Sequence, residues 1–421
     1  MSEAIGLLDA NNFYASCERV FDAKLHKKPI VVLSSNDGCV VARSKEASAL
    51  GVNMGVPMFK IEPWLESCEV AVFSSNYELY GDMSARLMEH LSAFTPAVEI
   101  YSIDEAFLGL DPGKTGFDKL GREIKEKIQK WTHIPVSVGI AETKTLAKLA
   151  NRLAKRSEKA DGVLDLFKSP YQDLALEKTL AADIWGIGPA SAAKLKEENI
   201  VTARELRDVD LRWARKTLTV MGARVVTELR GIKAFPLELN PPPRYSITCS
   251  RSFAQPIASH RELRVAIAVY LAKAAEKLRH HKLAANSITV FISTSRFVSE
   301  IEYYSNAATH SSAHPTDINQ ELQTWAFECL KSIFKTGYSY AKAGIILGGL
   351  VPSEKLTSRM FDDERWERFR KVMKAVDEIN KKFGRGTIRF CIANPNGAVS
   401  GRANSRSPRY TTRLAEVVRI Q

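Results

Sequence analysis

The sequence predicts a multidomain chain of α/β and α+β units, and three observations carry that reading. Its 421 residues exceed what one hydrophobic core usually holds, and 45% apolar with 26% charged side chains is the profile of a folded protein. From residue 4 to 168 short apolar runs alternate with helix-period segments, the order expected of a sheet covered by helices. The run NPPPR at 240–244 then interrupts the pattern, and a second strand and helix series follows it.

The elements follow from local pattern. AIGLL at 4–8 reads as a short buried strand ending on Asp9, and NNFYASCERVF turns into a helix. PIVVLSS at 29–35 is a second strand closed by the turn signal NDG, and CVVARSKEASALG runs from strand or turn into a short helix stopped at Gly51. Helical period returns at 78–93. After Pro96, AVEIYSIDEAFLGL reads as a strand pair or one long bent strand with acidic residues in its middle. An amphipathic helix (GFDKLGREIKEKIQKWT), a strand (IPVSVGIA), a basic helix at 144–160 and a short strand (DGVLDLF) complete the series. Residues 170–235 are mostly helical. Proline lacks an N–H and has a fixed φ, so NPPPR can neither continue a helix nor sit in a central strand and marks a linker. Residues 245–350 read as strand, helix, strand, helix, strand; beyond 351 come one charged helix at 362–383 and a Gly-, Arg- and Ser-rich end. There is no internal repeat.

The net charge of +12 is unevenly spread. Residues 1–243 carry 32 basic and 33 acidic side chains, residues 244–350 carry 12 and 7, and residues 351–421 carry 16 and 8. A polyanion is therefore the first partner to consider, met by the second half of the chain. The six cysteines form no CxxC pair, which argues against a zinc ribbon or disulfide scaffold and fits a reducing cytoplasm. MSEAIGLLDA lacks a basic n-region and a long apolar core, so no secretory signal is expected. No run of 18 apolar residues occurs, so no membrane contact is expected either. The absence of a Walker loop or a Rossmann fingerprint makes an ATPase or dinucleotide enzyme a poor fit.

Several residues could carry chemistry. Asp9 ends a buried strand, and Asp104 with Glu105 interrupt another. Carboxylates so placed either converge as an oxygen-only site suited to Mg²⁺ or serve as caps, turns and ion pairs. Strand alternation puts Asp104 and Glu105 on opposite faces, so both serve one site only if the strand bends there. Phe13 and Tyr14 lie close behind Asp9, either as core or as rings against a sugar. Lys148 and Arg152, with Lys144 and Lys155 near the same stripe, form a phosphate-facing row or an ordinary solvated face. In WGIGPASAAKL, Gly186 and Gly188 flank Ile187 in a tight turn and Pro189 starts the next helix; this is a helix-hairpin-helix that grips DNA phosphates or a plain helical turn.

Together, DANNFYASCE (9–18), DGCVVARSKEASALGVNMGVPM (37–58), YSIDEAFL (101–108), VGIAETKTLAKLANRLAK (138–155) and IWGIGPASAAKL (184–195) closely resemble the Y family of translesion DNA polymerases, in its UmuC-like branch with plasmid-borne relatives of the MucB, RumB and ImpB type. The likeness covers essentially the whole chain. It implies a right-hand polymerase with a palm (1–25 and 78–168), inserted fingers (26–77), a helical thumb with the helix-hairpin-helix (169–238), a linker (239–243), a little finger (244–350) and a basic C-terminal tail (351–421). The implied reaction is error-prone, template-directed DNA synthesis across damaged bases in the SOS response. Asp9, the backbone carbonyl of Ala10, Asp104 and Glu105 match the ligands of two Mg²⁺ ions, Tyr14 matches the steric gate that excludes a ribose 2′ hydroxyl, and Lys148 matches the lysine on the triphosphate.

The family's fingers often place a Tyr and an Arg on the triphosphate; Lys45 and Ser48 stand there here, and Arg43 is a further candidate. After the little finger the family carries a clamp-binding motif like Gln-Leu-x-Leu-Phe. Here Thr357 replaces the Gln while Met360 and Phe361 keep the apolar plug. The implied partners are primer-template DNA, deoxynucleoside triphosphates, the sliding clamp, a cleaved UmuD-like accessory dimer and RecA filaments, at damaged DNA in the bacterial cytoplasm and nucleoid. Two other classes remain: a different two-metal nucleotidyl transfer of cyclase type, which has no duplex to grip, and a non-catalytic DNA-binding scaffold, which would not need all three carboxylates.

Overall fold

The N-terminal apolar run is buried at every position except Asp9 and forms β1 (Ala4–Ala10). In the computed structural model of the chain, residues 4–111, 113, 116–295, 303–355, 364–384, 386–389 and 402–417 are described. After β1 the chain enters α1 (Phe13–Val20) through Asn12, whose φ of 50° an asparagine tolerates. An excursion follows through β2 (Ile30–Leu33), β3 (Val40–Arg43), α2 (Lys45–Ala49), α3 (Met58–Ser67) and β4 (Ala71–Ser74). The chain returns as α4 (Tyr77–Leu91), β5 (Val98–Ile100), β6 (Glu105–Leu110), α5 (Phe117–Thr132), β7 (Val136–Ala141), α6 (Lys144–Arg156) and β8 (Val163–Asp165). Four helices then pack together: α7 (Gln172–Glu177), α8 (Pro189–Glu197), α9 (Ala203–Asp208) and α10 (Leu211–Leu229).

The main sheet has the order β5-β6-β1-β7-β8, with β1 antiparallel to both neighbours. Both of its faces are covered, which is why β1 and β7 read as unbroken apolar runs. Ala4, Leu8 and Ala10 join the core beneath α4 and α5, while Ile5 and Leu7 join the one beneath α6 and the four helices. By the period of two, Asp9 shares the α6 face with Ile5 and Leu7, and Glu105 shares it with Phe107. Leu146 and Leu149 of α6 are buried on that face, worth roughly 1.5–3 kcal/mol each. The contact is close: a Cβ on Gly139 of β7 would lie 2.2 Å from the Asn151 nitrogen and 2.4 Å from the Ala147 oxygen, so only glycine lets α6 lie flush on the sheet.

Residues 30–33 and 40–43 do not join the main sheet. They form a separate sheet of order β3-β2-β4, β2 and β4 parallel, with its own small core around Val31, Leu33, Val40 and Leu65. The basic helix expected over 144–160 stops at Arg156, where Ser157 takes up extended backbone.

A second unit spans residues 242–402, while residues 403–421 belong to the first unit. It contains β9 (Ser246–Ile257), α11 (His260–His280), β10 (Leu283–Thr294), β11 (Ser305–Thr316), α12 (Asn319–Ile333), β12 (Tyr340–Pro352) and α13 (Glu364–Phe383). Its sheet runs β11-β10-β12-β9, all antiparallel, with α11 and α12 packed on its apolar side. Strand β11, SNAATHSSAHPT, is absent from the sequence reading. It is an edge strand of small and polar residues with a proline, so no apolar alternation marks it. The region expected as a single tail from 351 divides. Helix α13 is held in the second unit by Arg279, whose guanidinium meets both Asp377 oxygens at 2.6 and 2.8 Å, whereas 403–417 packs in the first. Thr357, Met360 and Phe361 lie outside the described residues.

Candidate active site

Asp9 and Glu105 face each other as partners on adjacent antiparallel strands, and Asp104 sits where the chain breaks between β5 and β6. That break satisfies the requirement that the strand bend. Ser102 stabilises it: its hydroxyl donates to Asp104 Oδ1 at 2.6 Å and accepts the Glu105 amide at 3.0 Å. Across the strands, the Ala10 amide donates to the Asp104 carbonyl at 2.8 Å. The arrangement brings the three predicted carboxylates and Ala10 to one end of the sheet.

Two lysines of α6 reach this end. Lys148 Nζ donates to Glu105 Oε1 and Oε2 at 2.9 and 3.0 Å, and Lys155 Nζ meets Asp9 Oδ1 at 2.6 Å. Seven residues separate the two lysines, about two helical turns, so they share a face. Arg152, one turn beyond Lys148 on the same stripe, instead pairs with Asp183. Sequence reasoning put Lys155 near the stripe without giving it a partner, although the spacing of seven was the available signal. Lys148 also lies 4.5 Å from the Tyr101 ring centre and 5.6 Å from that of Trp185, whose indole N–H donates to the Tyr101 hydroxyl at 3.1 Å. This aromatic enclosure had no sequence signal, because Tyr101 and Trp185 are brought together only by tertiary packing. Lys144, the first residue of α6, is committed to structure: it is 4% exposed and its ammonium donates to Glu99 at 2.8 Å.

Burial, joined by the negative charges of Glu105 and Asp104, pushes the Asp9 carboxyl up to about 6 against the pull of Lys155. Among the described residues no three His, Cys, Asp or Glu side chains close tightly enough on one point to hold a metal ion. The donor set is nevertheless oxygen-only, desolvated and mutually repelling, and the two ammonium groups supply the opposing charge. A hard divalent cation fits that chemistry.

Tyr14 extends from the first turn of α1. Its ring stacks on Tyr80 of α4 with centroids 4.4 Å apart and planes 14° apart, and Tyr77 meets it edge-on at 6.1 Å. Phe13 is 3% exposed and packs in the core, so it underlies Tyr14 and, unlike that ring, does not reach the surface. Cys17 is buried, and burial raises its thiol out of the reactive range. Arg43 ends β3 and Lys45 begins α2, on the separate three-stranded sheet; among the described residues no hydrogen bond or ion pair ties either to the carboxylates.

The four-helix region supplies the predicted turn. Gly186 has φ +91°, open to glycine without strain, Gly188 is the N-cap of α8, and Pro189 is its first residue. This region is tied to α6 by Glu228, fully buried, whose carboxylate accepts the amides of Thr145, Ala234 and Phe235 at 3.0, 2.7 and 2.9 Å.

Comparison with known proteins shows the family of the chain. Residues 8–152 match the impB/mucB/samB family, residues 244–360 its C-terminal domain, and residues 370–420 a domain of unknown function, DUF4113. The chain is 41% identical over 419 residues to UmuC of Salmonella typhimurium strain LT2, covering 99% of each protein, and 38% identical to Salmonella typhimurium SamB over 98% of each. It is 27% identical to DNA polymerase IV of Desulfatibacillum aliphaticivorans over 90% of this chain and 94% of that one. Among solved structures it resembles a Y-family DNA polymerase chimera, Dbh-Dpo4(243-245)-Dbh, with a TM-score of 0.68, 22% identity and coverage of 83% of this chain and 99% of that one. The relationship spans the full length, and the chain belongs to the impB/mucB/samB family of Y-family DNA polymerases.

Proposed function

We propose that this enzyme, an error-prone DNA-directed polymerase of translesion synthesis in the SOS response, transfers a deoxynucleoside monophosphate to a primer 3′ hydroxyl at Asp9, Asp104 and Glu105, releasing pyrophosphate. The observation that carries the assignment is the pairing of Asp9 with Glu105 on adjacent strands, Asp104 at the break beside them and two lysines facing them. Two Mg²⁺ ions bound by these carboxylates and the Ala10 carbonyl would supply charge to activate the hydroxyl and offset the phosphates.

The chain's own residues do the positioning. Lys148 and Lys155, whose ammonium groups stand at the carboxylates, are the point charges that would meet the triphosphate. Arg43 and Lys45 approach the same phosphates from the three-stranded sheet. Tyr14, held flat against Tyr80 above the buried Phe13, presents a rigid wall where a ribose 2′ hydroxyl would lie. Gly186 and Gly188 offer turn amides to the DNA backbone, contacts that position without reading sequence.

On this reading the subdomains are a palm in 1–25 and 78–168, fingers in 26–77, a thumb in 169–238, a linker at 239–243, a little finger in 244–350 and a tail in 351–421. The excess of basic residues beyond 243 supports primer-template contact by the second unit. Partners of this reading are the sliding clamp through Met360 and Phe361, a UmuD-like dimer and a RecA filament. No described helix is long and apolar enough to cross a membrane. On this reading the chain acts at damaged DNA in the bacterial cytoplasm and nucleoid. The purified chain should extend a primer on undamaged template only with a divalent cation, and Asp9→Ala should bind the same DNA without extending it. Extension by Asp9→Ala would overturn the assignment.

A further inference from the structure

The last described stretch of the chain packs against the first unit in a manner the polymerase reading does not require. Asn404 donates its amide to Asp37 Oδ2 at 3.0 Å. Ser405 accepts the Ser74 amide at 3.1 Å and donates to the Ser74 hydroxyl at 3.0 Å, and Arg406 bridges Ser74 in parallel register. The segment thus extends the free edge of the three-stranded sheet at β4. Asn76, the N-cap of α4, directs its amide nitrogen to the Ser407 carbonyl, the Ser407 hydroxyl and the Pro408 carbonyl at 3.0, 3.0 and 3.2 Å. Arg409 meets Glu78 at 3.1 Å and is itself locked by Glu416 at 2.7 Å, while Tyr410 stacks on Phe21 at 4.8 Å.

The central contact leads to the steric gate. Ser407, 6% exposed, donates its hydroxyl to Glu18 Oε1 at 3.0 Å, and the Tyr80 hydroxyl donates to the same oxygen at 2.6 Å. Glu18 is 2% exposed and Asn76 1% exposed. A buried carboxylate and a buried amide are costly unless hydrogen-bonded, so these two side chains form a polar socket that the tail completes. Glu18 lies one helical turn after Tyr14 on α1, and Tyr80 carries the ring on which Tyr14 stacks.

We infer that residues 404–410 are an intramolecular strap, with Ser407 as a positioning residue that acts through Glu18 and Tyr80 to fix Tyr14 and so sharpen discrimination between deoxyribose and ribose. The inference rests on the reading of Tyr14 as the sugar gate. Ser407 touches no substrate. Its hydroxyl holds the Glu18 carboxylate, the carboxylate holds the Tyr80 phenol in place, and the phenol ring sets the plane of Tyr14.

The test uses full-length protein in four variants, with hydrogen exchange for docking and the ratio of kcat/KM for a deoxynucleotide over its ribonucleotide for the gate. In the wild type the Ser74 and Ser405 amides exchange slowly; in Ser407→Trp, too large for the socket, both exchange fast. Ser407→Ala lowers sugar discrimination about three- to tenfold, as loss of one buried hydrogen bond corresponds to, and Ser407→Thr, which keeps the hydroxyl, restores it. Tyr14→Ala lowers it further. Fast exchange of both amides in the wild type overturns the strap. Wild-type discrimination in Ser407→Ala and Ser407→Trp alongside a loss in Tyr14→Ala leaves the gate standing and overturns the positioning role. Unchanged discrimination in Tyr14→Ala removes the gate reading, and the positioning role with it, while the exchange data still decide docking.

Discussion

Asp9→Asn should make the protein more stable while abolishing its chemistry. The Asp9 side chain is only 14% exposed, and burial lifts its carboxyl from an ordinary 3.8 to about 6 even with Lys155 beside it. The folded state therefore binds this proton more tightly than the unfolded chain does. The stability so gained is fully present below the unfolded value and is lost as pH rises from there through about 6. A shift of about 2 units at about 1.4 kcal/mol each makes ionised Asp9 cost about 3 kcal/mol above that range. Asparagine keeps the shape without the charge, and Lys155, a third exposed, can turn to solvent.

Urea titrations of metal-free wild type and Asp9→Asn at pH 4 and pH 8 test this, supported by calorimetric melting of the first unit. The two proteins should be nearly equal at pH 4, and the variant should lead by up to about 3 kcal/mol at pH 8, or roughly 6–12 °C in Tm for a unit of this size. Mg²⁺ should raise the wild type and not the variant, narrowing the gap by mass action. A variant equal to or weaker than wild type at pH 8, or a gap of the same size at both pH values, would refute the claim that Asp9 is a desolvated carboxylate held in strain.

Three further outcomes follow from the same geometry. Gly139→Ala drives a Cβ into the backbone of α6 and should lower stability by about 1–3 kcal/mol or more, with a loss of incorporation rate because α6 carries both lysines; a urea melt near wild type would contradict the close packing. Glu228→Gln keeps one oxygen where the buried carboxylate accepts three amides and adds an unpartnered NH₂, so it should cost about 1–3 kcal/mol, read in the same titrations. Lys148→Ala should raise KM for the incoming nucleotide more than it lowers kcat, and Lys155→Ala should do likewise, in steady-state single-nucleotide insertion.

The main sheet and its acids were readable because their pattern is local. An unbroken apolar run ending in Asp9, and a strand interrupted by two acids, express burial and its exception within a few residues. The break at 101–104, which decides whether Asp104 and Glu105 work together, was legible only as a condition, since it depends on Ser102 bonding across the turn. Strand β11 was not legible because its half-buried positions, Ala308, His310 and Ser312, are small or polar and so set up no apolar alternation. Local pattern alone did not show that β2 and β3 form their own sheet, because pairing with β4 is a choice of partner and not of conformation. The strap was the least visible of all: Ser407 finds Glu18 across 389 positions of sequence, and a Gly-, Arg- and Ser-rich end looks the same whether it is solvated or seated.

The measurement that bears most directly on the account is insertion opposite an abasic site by the full-length chain, with Mg²⁺, clamp, accessory dimer and RecA filament supplied, beside Asp104→Ala and Glu105→Ala under identical conditions. DNA binding is followed in parallel by anisotropy. Insertion by the wild type is expected, none by either variant, and DNA affinity in the variants equal to or above that of the wild type, since each has lost a negative charge near the DNA. Insertion by either variant at the wild-type rate would contradict the assignment of these carboxylates as the polymerase centre.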